Sequence, residues 1–112
     1  MPYIHARINC EYGAAAADAF KSEMGKAITV FPGKCESWLM VGIEKCDLRF
    51  AGNDAPAAMV EISLFGRVES AAAGKMTAKV CDSMEKYFGI AADRVYVKYT
   101  PVEEWGWNGS DF

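Results

Sequence analysis

Hydrophobic and polar positions change period along the chain, and each change marks an element. From Tyr3 to Cys10 the residues alternate, with Ile4, Ala6, Ile8 and Cys10 on one side and Tyr3, His5, Arg7 and Asn9 on the other. That two-residue period predicts a half-buried strand. Glu11-Tyr12-Gly13 turns the chain. From Ala14 to Val30 the period lengthens. Ala17, Phe20, Met24, Ala27, Ile28 and Phe31 form a helical stripe, with Lys21, Ser22, Glu23 and Lys26 opposite. Gly25 weakens this helix locally, and Pro32-Gly33 ends it.

Glu36 to Lys45 carries the apolar run Trp38-Leu39-Met40-Val41 and predicts a strand buried on both faces. Asp47 to Pro56 reads as a loop in which Leu48 and Phe50 still pack. Ala57 to Phe65 alternates again, with Val60, Ile62 and Leu64 against Glu61, Ser63 and Phe65. Ser70 is the expected N-cap of a second helix running to Phe88, with Gly89 as its left-handed C′ residue. Asp93 to Tyr99 is the expected fourth strand, which Pro101 interrupts. The tail from Glu103 to Phe112 is rich in Trp and Gly, and Asn108-Gly109 within it is a turn signal.

The order is strand, helix, strand, then strand, helix, strand, and the halves echo each other. Each half is a βαβ unit, so its two strands should be parallel with a right-handed crossover. Two such units side by side predict an α+β fold, a two-layer α/β sandwich. It has a four-stranded mixed sheet with both helices on one face, in a single domain spanning residues 1–112. The other sheet face is left bare. Trp38, Phe65 and Tyr96 are large residues for a wet surface, so a partner subunit is expected there.

Composition narrows the function classes. The chain has 112 residues, 52% of them apolar, and a net charge of -3, so no basic stripe exists to hold nucleic acid. No apolar run reaches the length of a membrane span. Cys10, Cys35, Cys46 and Cys81 form no C-x-x-C pair and His5 is the single histidine, so neither a metal nor any other cofactor is expected. With no leader ahead of the first strand, the scattered cysteines point to the reducing cytoplasm.

The start, Met1-Pro2, carries candidate chemistry. Methionine before a small residue is normally trimmed, which would leave Pro2 as a secondary amine at the head of a strand. Ordinary α-amino groups titrate near ~7.7 to 8.0. Burial or a nearby cation lowers that value, and a neutral amine can take and return a proton.

Ala92-Asp93-Arg94-Val95-Tyr96-Val97-Lys98-Tyr99 resembles the P-D-R-V-Y-I-N-Y segment of the family of macrophage migration inhibitory factor and D-dopachrome tautomerase. Gly106-Trp107-Asn108-Gly109-Ser110-Asp111-Phe112 resembles the family's G-W-N-x-S-x-F ending. Met1-Pro2, Gly33-Lys34, Phe50-Ala51-Gly52 and Ala55-Pro56-Ala57 fall in matching order. The resemblance implies a homotrimer with pockets between neighbouring subunits. It implies a keto–enol tautomerase acting on phenylpyruvate-like or dopachrome-like compounds, a small aromatic 2-oxo acid or related enol. By the same resemblance Pro2 is the catalytic base, Lys34 holds the substrate's anionic group and Tyr96 comes from the adjacent subunit. Phe65, at a position commonly isoleucine, lines the pocket wall, and Tyr3, Trp38, Trp105 and Phe112 line the rest.

Three positions depart from the family's pattern. Lys98 replaces the usual asparagine and adds a second cation for an anionic substrate. Ala57-Ala58-Met59-Val60 replaces the C-x-x-C of some members, so thiol–disulfide activity is not expected. Trp105 replaces a smaller aliphatic and narrows the pocket. Two other readings stand beside the enzyme. One is a cytokine-like ligand, exported without a signal peptide and bound by a protein receptor. The other is a non-catalytic binding trimer in which Met1 is kept and the Pro2 nitrogen is an amide.

Overall fold

Alternation along the chain decides which strands lie inside the sheet. A computed structural model describes residues 1–112. β1 (Pro2–Ile8) and β3 (Ala58–Phe65) bury every second residue and take the two central positions. β2 (Met40–Lys45) and β4 (Val95–Val102) flank them, giving the order β2-β1-β3-β4. β1 runs parallel to β2, with Tyr3 opposite Met40 and Ile8 opposite Lys45. β3 runs parallel to β4, with Ala58 opposite Val95 and Phe65 opposite Val102. The halves meet where β1 and β3 pair antiparallel, so the sheet is mixed as expected.

α1 (Ala14–Ala27) and α2 (Ser70–Phe88) are the crossovers of the two halves and pack on one face of the sheet. The core lies between the layers. Phe20, Met24 and Ile28 from the first helical segment meet Ile4, Ile8, Ile62 and Leu64 from the sheet and Met76, Val80 and Met84 from α2. Every one of them is fully buried. Tyr99 faces this layer from β4. Its hydroxyl donates to the Ala73 carbonyl at 2.9 Å and shares a 2.8 Å bond with Thr77. Tyr99→Phe should remove both hydroxyl bonds to α2 and lower stability by about 1–2 kcal/mol in a urea melt.

Several boundaries differ from the sequence expectation. α1 ends at Ala27 and tightens into a 3₁₀ turn over Ile28–Val30. Gly25 is buried inside α1, where an added Cβ would run into the Glu36 side chain, so the weak helix former admits the connection to β2. Glu36–Trp38 is itself a 3₁₀ turn, so Trp38 and Leu39 precede β2 rather than centring it. β2 is not buried on both faces. It is an edge strand, and Met40 is 69% exposed. β1 ends at Ile8, short of Cys10. Ser70 is the first residue of α2, and Glu69 holds the N-cap position without a side-chain bond. Gly89 does take the left-handed C-terminal conformation, at φ 67°.

β4 begins at Val95, after a 3₁₀ turn over Ala92–Arg94, and runs through Pro101 to Val102. An edge strand has one row of N–H groups without a sheet partner, so a proline on that side interrupts nothing. The tail folds into a small hairpin of β5 (Gly106–Trp107) and β6 (Ser110–Asp111). Asn108 and Gly109 turn it with φ of 52° and 85°, the left-handed pair that a two-residue hairpin loop requires. No helix is long and apolar enough to cross a membrane.

Candidate active site

The sheet starts at Pro2, and two other segments converge on it. Pro2 is buried and pairs with Leu64, so the end of β3 lies alongside. The Phe65 N–H donates to the Met1 carbonyl at 2.9 Å, which closes the start of β1 onto β3. Lys34 reaches the same place from the segment after the first helix. Gly33, at φ 76°, turns the chain there, and the Lys34 ammonium donates to the Phe65 carbonyl at 3.0 Å. Burial lowers the pKa of the Met1 amine from its ordinary value, and the adjacent Lys34 ammonium lowers it further. Both effects disfavour placing a second positive charge at that spot.

A cleft of about 530 Å³ opens beside these residues. Pro2, Tyr3, Trp38 and Trp105 line it, together with Met40 and Trp107. Trp38 meets Trp107 edge to face at 5.0 Å, and Trp107 stacks on Phe112 at 6.2 Å. Phe112 in turn packs on Phe65 at 5.3 Å. The hairpin therefore carries aromatic rings back to the mouth of the Pro2 cleft. This wall is apolar and flat, suited to a planar ring, while the cation at Lys34 stands nearby for an anion.

Tyr96 and Lys98 lie elsewhere on the chain. Both project from β4 on the face opposite the helices. Tyr96 is 62% exposed and meets Phe50 edge to face at 5.0 Å. Arg94 fixes the Phe50 loop beneath it, donating to the carbonyls of Pro56 at 2.9 Å and Ala55 at 3.0 Å. Lys98 is 3.5 Å from Glu61, which Arg7 also contacts at 2.8 Å. Burial raises the Glu61 pKa, but Lys98 and Arg7 together outweigh it and hold the carboxyl below its ordinary range. His5 and Glu44 continue this charged row at 2.7 Å.

One chain thus brings together Pro2, Tyr3, Lys34, Phe65, Trp38, Trp105 and Phe112, and leaves Tyr96 and Lys98 apart from them. Met40 and Trp107 join the cleft without having been singled out from the sequence. The turn signal at Asn108-Gly109 held the clue for Trp107, since a hairpin returns its first strand toward the body of the fold. The cysteines are all unpaired, and no group of three or more His, Cys, Asp or Glu side chains converges anywhere.

Comparison with known proteins agrees with this architecture. The family described as macrophage migration inhibitory factor (MIF) matches residues 1–112. Macrophage migration inhibitory factor from Xenopus laevis is 27% identical over 116 residues, covering 100% of this chain and 99% of that protein. The crystal structure of Leishmania major MIF2 superposes with a TM-score of 0.94 at 26% identity, over 100% of this chain and 97% of that one. The structure of a macrophage migration inhibitory factor homologue from Prochlorococcus marinus gives 0.83 at 27% identity, over 98% of each chain.

Proposed function

The chain belongs to the macrophage migration inhibitory factor family, and on that premise we propose that it is a keto–enol tautomerase with Pro2 as its general base. The observation that carries this reading is the convergence of the Pro2 end of β1, the Lys34 ammonium and an aromatic cleft at one point. Removal of Met1 has two effects there. It turns the Pro2 amide into a secondary amine, lodged where burial and Lys34 already disfavour a cation. It also frees the Phe65 N–H, which now donates to the Met1 carbonyl.

The reaction follows from those groups. A small aromatic 2-oxo acid lays its ring against Trp38, Trp105 and Trp107, and Lys34 pairs with its carboxylate. The neutral Pro2 nitrogen takes a proton from the carbon next to the carbonyl. The electron pair left behind moves onto the carbonyl oxygen, where a cation or hydrogen-bond donor stabilises it. The proton then returns to that oxygen, giving the enol, or to carbon in the reverse direction. The exposed large apolar residues Met40, Trp38 and Tyr96 flank a face that a homotrimer would cover, and a neighbouring subunit would then bring Tyr96 and Lys98 to the cleft.

The direct test pairs intact mass with turnover of phenylpyruvate. Active protein should be lighter than the full sequence by one methionine residue. Protein that begins at Pro2 and does not turn over phenylpyruvate-like acids would overturn the proposal. Lys34→Met should cut kcat/KM by about tenfold to a hundredfold, the loss of one charge-assisted contact. It should also move the apparent pKa of the base upward, because a neighbouring cation has gone. Steady-state rates across a pH series read both effects, and an unchanged profile would remove Lys34 from the site.

A further inference from the structure

A second recess lies between the helices and shares no residue with the Pro2 cleft. It is a groove of about 270 Å³ lined by Glu23, Lys26 and Ala27 of α1 and by Lys79, Asp82, Ser83, Lys86 and Tyr87 of α2. Lys79, Ser83 and Lys86 fall four and three residues apart, so α2 presents them on one face. Ser83 is only 7% exposed. A serine inside a helix commonly bonds back to a carbonyl of the preceding turn. The Ser83 hydroxyl has no partner in the chain, yet it is not sealed from solvent, so it opens into the groove.

The charges around that hydroxyl are unevenly satisfied. Glu23 accepts from the Tyr87 hydroxyl at 3.4 Å and lies 3.9 Å from Lys26. Lys79 and Lys86 form no ion pair, and Lys86 stands 5.3 Å from the centre of the Tyr87 ring. A nearly buried donor thus sits between cations without carboxylate partners, in a chain whose net charge is -3. We propose that this groove binds a phosphate group, as inorganic phosphate or the phosphate of a small monoester, on Lys79, Ser83 and Lys86. A phosphate group presents three strong acceptor oxygens and a negative charge, which matches a hydroxyl and two ammonium groups. Glu23 and Asp82 leave the groove a single excess positive charge among its lining residues, too little to hold a nucleic acid backbone. Only Ala27 and Tyr87 are apolar there, which gives a lipid surface little to hold.

The experiment is a titration of the ¹⁵N-labelled full chain with sodium phosphate, and separately with glycerol phosphate, against sodium chloride at matched ionic strength. Amide signals of Lys79, Ser83 and Lys86 should move with both phosphates and stay still in chloride. Ser83→Ala and Lys79→Met should each weaken binding about tenfold, the loss of one charge-assisted or buried hydrogen bond. Phenylpyruvate turnover should be unchanged in both variants, which separates this site from Pro2. Equal shifts in chloride, shifts confined to residues near Pro2, or binding only to vesicles containing phosphatidic acid would each overturn the proposal. Ser83→Ala changes one hydroxyl, so a folded Ser83→Ala protein with undiminished phosphate affinity would overturn it as well.

Discussion

Pro2→Gly, in protein whose mass shows that Met1 is absent, should lower kcat for phenylpyruvate enolisation by about 10²- to 10⁴-fold. Glycine keeps an amine at the chain terminus but loses the ring that fixes its direction, and it makes that amine primary. The fold should survive, because the first residue of a strand contributes no ladder hydrogen bond that glycine would remove. The pH profile supplies the independent half of the test. With Met1 present, the pKa of the terminal amine is lowered by burial first and by Lys34 second, and the Pro2 amine exposed by trimming would lie beside the same Lys34. An amine of lowered pKa is neutral, and competent as a base, at pH values where an ordinary amine is still charged. The wild-type rate should therefore fall as pH drops through a pKa below the ordinary ~7.7 to 8.0, and level off above it. Stability follows the same sign. Between the lowered folded value and the ordinary one, the unfolded chain binds more protons, so stability rises with pH across that window. Equal rates for wild type and Pro2→Gly would end the catalytic role of this residue.

Phe20→Ala should destabilise the protein by about 3–5 kcal/mol, the cost of emptying a phenyl-sized volume in a core that cannot fully collapse. Phe20 is fully buried and meets Phe88 at 5.8 Å, and Phe88 meets Tyr12 at the same spacing. It therefore joins α1 to the end of α2 and to the turn after β1. Chemical denaturation at one fixed protein concentration reads the change, because association of subunits would add its own concentration-dependent stability. Phe20→Leu keeps most of the apolar volume and should cost less. If Phe20→Ala cost under ~1 kcal/mol, the interlayer core assigned to α1 would be wrong.

The two layers were legible because period and partner coincide. Ile4, Ala6 and Ile8 alternate in sequence and are fully buried in the structure. The stripe through Phe20, Met24 and Ile28 predicts the helix and also names the face it buries. The apolar run around Trp38 misled for a definite reason. Strand propensity counts hydrophobic residues, but Met40 and Trp38 are apolar without being covered in one chain. Pro101 misled similarly, because a proline breaks a strand only where its missing N–H would have been used.

The site divides in the same way. Pro2 stands out from the residues as a candidate amine, and the family resemblance names Lys34 and the aromatic residues one by one. Their meeting could not, because Lys34 reaches the Phe65 carbonyl across 31 positions of sequence and Trp38 meets Trp107 across 69. Local sequence by itself determined β1, β3, the two helices and the faces they bury, since side-chain periodicity acts between neighbours a few residues apart. Tertiary structure alone decided which edge each outer strand occupies, how the hairpin returns its rings to the cleft, and that Lys34 stands beside the amine. Those outcomes depend on long-range pairing of β1 with β3 and on the Gly33 and Asn108-Gly109 turns, whose effect on distant residues no local pattern encodes.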